Sequence, residues 1–181
     1  MTGMDDSEGE RRPSTPPDER DGLEPRPVDD SVEILDLTAA EWYRVRNPLR
    51  FGPTYYAIQL CKHLPPLVKN PIYRALGVEI GAGSVLAPAV VVDPFFPEKI
   101  TIGEGSLVGW GTKLLTHEGY TDEWHVGPIE IGDDVTVGHS CSTRPGVTIG
   151  DGATVAAHSF INRDVAPGER VGGVPIESLD D

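Results

Sequence analysis

Between residues 77 and about 175 the chain repeats every six residues, and this period constrains its fold more than any other feature. Twelve hexad positions are aliphatic, with one exception, a threonine. A set of smaller residues recurs four positions after most of them. An α-helix has a period of 3.6 residues and an alternating strand a period of 2, so neither produces this pattern. The twelve positions are Ile80, Leu86, Val92, Ile102, Val108, Leu114, Ile131, Val137, Thr143, Ile149, Val155 and Ile161.

A short strand followed by a turn explains the period. Each hexad forms one flat side of a triangular coil, its aliphatic residue points inward, and three hexads complete one turn. The pattern predicts an all-β fold, a left-handed parallel β-helix of hexapeptide repeats, with coils at residues 80–97, 102–118, 131–148 and 149–166. We expect the glycine that follows six of the aliphatics to accept turn dihedrals that a Cβ atom would resist. These are Gly81, Gly103, Gly109, Gly132, Gly138 and Gly150.

The segments outside the repeats differ in composition. Residues 1–31 are rich in Pro, Asp, Glu, Arg and Ser and have almost no large apolar residues, which predicts a disordered acidic tail. Residues 32–76 combine a capping-box pattern at Thr38 and Glu41 with apolar positions interrupted by prolines. We expect them to form a helical N-terminal cap of two or three short helices on one end of the 77–175 domain. Residues 176–181 are interpreted as a short acidic tail.

Charge is distributed unevenly along a chain whose formal net charge is -14. Residues 40–76 carry six bases against one acid, whereas residues 77–181 carry sixteen acids against five bases. The acidic surface argues against nucleic acid as a partner and suits a halophilic protein kept soluble in high salt. The first residues do not resemble a signal peptide, and no apolar run approaches the ~20 residues that span a bilayer. We therefore expect a cytoplasmic protein.

Four stretches of the sequence resemble the hexapeptide-repeat acyltransferases, the family of the galactoside, maltose and xenobiotic acetyltransferases. They are THEGY at 116–120, GPIEIGDDVTVG at 127–138, RPGVTIGDGATVAAHSFINRDV at 144–165 and VGGVPI at 171–176. The resemblance implies a homotrimer with CoA in the groove between the β-helices of neighbouring subunits. It also implies direct transfer of an acyl group, with acetyl-CoA as co-substrate, to a hydroxyl of a sugar or glycan precursor. It implies no metal.

The resemblance also implies roles for individual residues. His117 aligns with the catalytic base of the family, and an imidazole with a pKa of about 6.5 can take a proton from a hydroxyl at neutral pH. The backbone N–H of His139 corresponds to an oxyanion donor. Arg163 is the candidate for the CoA phosphates. The expected cofactor-binding residues are Gly138, His139, Ala157, Asn162 and Arg163.

Two regions are candidates for binding the acceptor, residues 93–99 and the loop from 118 to 127. Their candidate residues are Asp93, Tyr120 and Trp124, and the two aromatic side chains suit stacking on a sugar ring. The basic segment 40–76 is expected to cap the open end of the coil, with contact to anionic lipid as the alternative.

Two other functions stay open from the sequence alone. One is a γ-carbonic-anhydrase-like zinc hydratase that uses His117, His139 and His158 as ligands. The closely spaced His-x4-His pair of that family is missing, because Asp122 stands five residues after His117. The other is a non-catalytic trimer in which the coil serves as a scaffold.

Overall fold

A computed structural model describes residues 30–180, so the disordered tail predicted for residues 1–31 lies outside the described residues apart from the last two. The strands of successive coils form three sheets, one on each face of the stack, and neighbouring strands in them are parallel except for β16 and β17. The first face contains β2 (Glu79–Ile80), β5 (Ile100–Ile102), β10 (Ile129–Ile131) and β13 (Val147–Ile149). The second contains β3 (Val85–Leu86), β6 (Leu107–Val108), β11 (Thr136–Val137), β14 (Thr154–Val155), β16 (Arg170–Gly172) and β17 (Glu177–Ser178). The third contains β4 (Val91–Val92), β7 (Lys113–Leu114), β12 (Ser142–Thr143) and β15 (Phe160–Ile161).

The hexad residues stack in register through the core. Ile102, for example, pairs with Ile80 in the preceding coil and with Ile131 in the next. All twelve hexad positions lie on strands and are buried, as predicted. The exceptional Thr143 is buried as well, and its hydroxyl accepts a hydrogen bond from the backbone N–H of Leu115 at 2.9 Å. The hydroxyl is therefore paired inside an otherwise apolar column.

The smaller residues at the corners connect one coil to the next. The hydroxyl of Ser106 donates to the Gly132 carbonyl at 2.7 Å and accepts from the Val135 N–H at 2.9 Å. Thr112 bridges the Gly138 carbonyl and the Cys141 N–H in the same way, at 2.8 and 3.1 Å. These side chains satisfy backbone groups that the turns leave unpaired.

The reason predicted for the glycines is wrong. None of the six that follow an aliphatic residue is among the residues with positive φ. Instead, a Cβ atom on Gly138 would lie only 2.5 Å from the Ala157 nitrogen of the next coil. Their missing side chain allows the coils to approach closely, and the left-handed backbone falls two residues later, for example at Ser140 (φ 57°).

Three segments outside the repeats form strands that the sequence did not predict. The loop after the second coil is a hairpin of β8 (His117–Gly119) and β9 (Trp124–Val126), and β1 (Glu33–Leu35) pairs with β9. The predicted acidic tail at 176–181 instead includes β17, which pairs antiparallel with β16. The Leu179 N–H also donates to the Arg170 carbonyl at 2.6 Å, so this end of the chain is fixed by backbone pairing.

Helices cover the end of the first coil. They are α1 (Trp42–Val45), α2 (Pro48–Cys61) and α3 (Pro66–Ala75), with 3₁₀ turns at Ala39–Glu41 and Pro97–Lys99. Val85 and Val91 donate their N–H groups to the second coil, so the Ser84 and Val90 carbonyls of the same trans peptides point the opposite way, out of the open end. The Ala87 carbonyl is also accessible there. Three polar side chains of α3 meet these carbonyls: Lys69 Nζ donates to Ala87 at 2.5 Å, Asn70 Nδ2 to Ser84 at 3.0 Å and the Tyr73 hydroxyl to Val90 at 3.1 Å.

Candidate active site

His117 stands where the chain leaves the third face of the coil, at the start of β8. In the preceding coil, Asp93 follows β4 at the same corner. Because Val92 pairs with Leu114, Asp93 lies beneath the segment that carries His117. The His117 Nδ1 and the Asp93 Oδ2 are 2.5 Å apart. The coil register therefore brings a carboxylate and an imidazole together from positions 24 residues apart.

The Asp93 carboxylate is fully buried, and both of its oxygens accept hydrogen bonds. Its Oδ2 also accepts from the N–H and the hydroxyl of Thr116, both at 2.9 Å. Its Oδ1 accepts from the Phe95 N–H at 2.8 Å. An ionised carboxylate can only accept, so the proton in the contact with His117 belongs to Nδ1. The Nε2 atom of His117 is then the basic one, and it has no hydrogen bond within residues 30–180.

Aromatic rings fix the plane of the His117 imidazole. The Trp124 ring stacks on it with centroids 5.3 Å apart and an interplanar angle of 21°. The Phe95 ring lies against it at 4.6 Å. Trp124 is itself held by its Nε1, which donates to the Thr38 carbonyl at 3.3 Å. The His117 side chain keeps 19% of its surface exposed, so the ring is not fully enclosed.

A polar network borders this corner. Glu118 forms a two-point ion pair with Arg144, at 3.1 and 3.0 Å, and its Oε2 accepts from the Tyr120 hydroxyl at 3.1 Å. Burial, with the nearby Glu118 charge, raises the pKa of Tyr120. At the same hairpin, His125 Nε2 lies 2.8 Å from a Glu123 carboxylate oxygen. Arg144 and Glu118 thus neutralise each other beside His117.

The predicted acceptor residues occupy different depths. Tyr120 is exposed at the end of the hairpin, where a ligand can reach it. Asp93 is fully buried and Trp124 is 6% exposed, and both support the His117 ring from below or beside it. Their placement differs from the expectation that they line an acceptor pocket, because the coil stacks the next strand over Asp93 and the hairpin folds Trp124 inward.

The predicted cofactor residues fall into two groups. Gly138, His139 and Ala157 lie at the corner between the second and third faces. His139 stands there beside His158 of the next coil, with ring centroids 4.6 Å apart. His117 lies at the opposite edge of the third face, so a single chain does not bring these residues to it.

The second group lies on the same edge as His117. Asn162 and Arg163 follow β15, which stacks on β12 and β7, so they stand above His117 along the coil. Arg163 binds Glu169 at 2.9 Å, and this contact lowers the pKa of Glu169. The guanidinium predicted to bind phosphate is therefore ion-paired in the free chain.

Sequence reasoning missed that Asp93 holds His117 and that Phe95 packs on it. The signal was available, because Val92 and Leu114 occupy equivalent hexads of successive coils. The residues just after them must then be neighbours. Among residues 30–180, no group of three or more His, Cys, Asp or Glu side chains is arranged to hold a metal ion.

Comparison with known proteins identifies the family of the chain. The sequence profile described as "Bacterial transferase hexapeptide (six repeats)" matches residues 128–163. The Bacillus subtilis protein "Putative acetyltransferase YvoF" is 37% identical over 133 residues, which is 72% of this chain and 77% of that protein. The Escherichia coli galactoside O-acetyltransferase is 30% identical over 118 residues, 60% of this chain and 57% of that protein. The chain belongs to the hexapeptide-repeat acetyltransferase family.

Solved structures resemble the described fold. A hexapeptide-repeat acetyltransferase from Vibrio cholerae superposes with a TM-score of 0.58 at 26% identity, over 79% of this chain and 93% of that one. The same protein has been solved with acetyl-CoA, and that complex gives a TM-score of 0.56 at 27% identity, over 79% of this chain and 90% of that one. A galactoside acetyltransferase in complex with coenzyme A gives 0.60 over 74% of this chain and 81% of that one, at 20% identity, and shows a shared fold alone.

Proposed function

We propose that the protein transfers an acetyl group from acetyl-CoA to a hydroxyl of a sugar or glycan precursor, with His117 as general base. The contact between His117 and the buried Asp93 is the observation that supports this proposal best, because a hydrogen bond donated by Nδ1 leaves Nε2 available as the base. Membership of the family and the acetyl-CoA complex of the Vibrio cholerae relative support acetyl-CoA as co-substrate. The galactoside O-acetyltransferase among the relatives supports an acceptor hydroxyl on a sugar.

In this reaction His117 first takes up a proton and then donates it. Nε2 removes the proton of the acceptor hydroxyl as its oxygen bonds to the thioester carbonyl carbon. The backbone N–H of His139 donates to the resulting oxyanion. The C–S bond then breaks, and the imidazolium returns the proton to the departing CoA thiolate. Asp93 stabilises the imidazolium throughout and keeps the proton of Nδ1 in place, so it acts as a positioning residue.

The active unit in this proposal is a homotrimer of left-handed parallel β-helices. His117 and the group Gly138, His139 and Ala157 lie at opposite edges of the third face, so two neighbouring copies supply one complete site. Cyclic symmetry repeats this contact three times and closes the ring. Light scattering and activity measured on the same samples across a salt series test it, and a fully active monomer would contradict it.

A histidine series tests the chemistry. His117→Ala should lower turnover by ~10²–10⁴, with acetyl-CoA binding retained, because general-base catalysis contributes about that much. Asp93→Asn should also lower turnover and change its pH profile, because an amide cannot accept all of the hydrogen bonds that Asp93 now receives. Turnover is measured with acetyl-CoA and a panel of sugar acceptors, and acetyl-CoA binding by calorimetry.

The matched control is His63→Ala, an exposed histidine between α2 and α3. It should leave turnover unchanged. Thermal unfolding of each variant separates loss of the base from loss of the fold. Wild-type turnover in His117→Ala with the best acceptor would refute the mechanism.

A further inference from the structure

The outward surface of α2 and α3 is apolar and uncovered within residues 30–180. Leu49, Leu60 and Leu67 expose 84%, 77% and 88% of their surface, and Tyr56 exposes 67%. Together with Val68 these residues form what we call the base patch. Large contiguous apolar surfaces on a soluble domain mark an interaction site.

Helix geometry places the exposed apolar residues of α2 on one side of that helix. At 100° per residue, Leu49, Tyr56 and Leu60 fall in one narrow stripe of α2. Ile58 lies on the opposite side of the helix and is fully buried in the core. A helix that is apolar on both sides is normally buried on both sides.

The polarity of α3 is inverted. Its buried side chains, Lys69, Asn70 and Tyr73, are the polar ones, whereas Leu67 and Val68 face outward. The buried three bond the carbonyls at the open end of the coil. The outward side of α3 therefore looks away from the coil, along its axis. In the trimer proposed above, the subunits pack side by side through their coils. Every base patch then stays uncovered, and all of them face the same way.

The charge of the residues around the base patch indicates what kind of partner this surface binds. Between Glu41 and Glu79 the chain has six bases and no acidic residue. Arg44 and Arg46 are ion-paired with Glu41 and Glu98, and Lys69 is buried. The charge beside the patch therefore comes from Arg50 and from the half-buried Lys62, whose Nζ donates to Gln59 at 2.6 Å. Arg50 is exposed next to Leu49, and Lys62 follows the last turn of α2. Two copies meeting base to base would bring like charges together. Residues 1–29 have too few large apolar residues, namely Met1, Met4, Leu23 and Val28, to cover the patch.

We propose that the base patch docks the protein on an anionic lipid membrane surface. The three leucines enter the boundary between headgroups and acyl chains, and Tyr56 lies at the headgroup level. Arg50 and Lys62 extend toward lipid phosphates. The acidic coil then points away from the lipid, so the charge asymmetry of the chain also sets its orientation.

Vesicle flotation of the full chain tests the proposal. Vesicles of phosphatidylcholine alone are compared with vesicles that are half phosphatidylglycerol. Binding should be roughly tenfold stronger to the anionic vesicles and should weaken with salt. The triple variant Leu49→Ser, Leu60→Ser and Leu67→Ser should bind them roughly a hundredfold more weakly, because three exposed apolar side chains are removed. Arg50→Glu with Lys62→Glu should remove the preference for phosphatidylglycerol.

The matched control replaces three exposed apolar residues elsewhere, Ile34, Leu107 and Val174, with serine, and it should float like the wild type. Light scattering of the same samples reports the molar mass. Failure of the wild type to float with anionic vesicles would overturn the proposal, and so would equal loss in the control. A triple-leucine variant that floats normally but loses molar mass would make the patch a contact between copies, which also overturns it.

Discussion

Two regions of the molecule, the stack of coils and the helices α2 and α3 that cover its open end (the base), bury opposite kinds of side chain. The coil places aliphatic columns inside and, apart from the buried Asp93, carries its acids outside. In α3 the buried side chains are a lysine, an asparagine and a tyrosine, and Leu67 and Val68 lie outside. The difference follows from what each region must satisfy. The interior of the coil has its backbone groups already paired between strands, whereas its open end presents unpaired carbonyls that only donors can satisfy.

The two regions should therefore respond differently when similar apolar side chains are removed. Ile149 is fully buried between Ile131 and Val165, whereas Leu60 is largely exposed on α2. Ile149→Ala should lower the free energy of unfolding by about 2–5 kcal/mol, through lost transfer energy and a cavity. Leu60→Ala should change it by less than about 0.5 kcal/mol. Urea unfolding measures both.

Equal losses of unfolding free energy in the two variants would contradict this expectation, because they would mean that the outer side of α2 is packed in the free protein. Thr148→Ala controls for the strand itself, since Thr148 is the exposed neighbour of Ile149. It should remain near the wild-type stability.

Lys69 should make the stability of the protein depend on pH through the helices at the open end of the coil. Burial lowers the pKa of Lys69 from 10.5 to about 8. Between these two values the unfolded chain binds the proton more strongly, so stability rises with pH, and below about 8 the cost of burying the charge is complete. Relative to Lys69→Met, the wild type should gain about 2 kcal/mol between pH 7.5 and pH 10. Urea unfolding at both pH values provides the difference.

Lys113→Met is the control, because Lys113 is exposed on the coil. Its difference from the wild type should not change with pH. A constant difference for Lys69→Met as well would show that Lys69 keeps its proton in the folded protein throughout this range.

The coil could be predicted from sequence because each hexad meets the same neighbours in every turn. One period therefore fixes the inward positions, including the polar Thr143. The inverted helix could not be read in this way, since the partners of Lys69 and Asn70 are carbonyls whose direction exists only once the coil has formed. The pairing of β1 with β9 joins residues about 90 positions apart, and no local pattern encodes it.

The candidate site was predicted only where it follows the repeat or the resemblance. His117 was found through its motif. Asp93 is predicted to contact the acceptor only as part of the 93–99 segment, and its burial beneath His117 follows from the stacking of successive coils. The ion pairs of Arg144 with Glu118 and of Arg163 with Glu169 depend on where the side chains extend in the folded protein, which the sequence does not show.

The smallest expected difference concerns single hydrogen bonds in the two regions. Ser106→Ala in the coil leaves both the Gly132 carbonyl and the Val135 N–H unpaired, and should lower the free energy of unfolding by about 1–3 kcal/mol. Asn70→Ala in the base leaves the Ser84 carbonyl unpaired. It also removes a buried Oδ1 that has no hydrogen-bond partner among residues 30–180, and this relief offsets part of the loss. The cost of Asn70→Ala should therefore be about 1 kcal/mol or less in urea unfolding. A larger cost for Asn70→Ala than for Ser106→Ala would show that closing the open end contributes more to stability than the bridges between coils, which would reverse the ranking of the two regions.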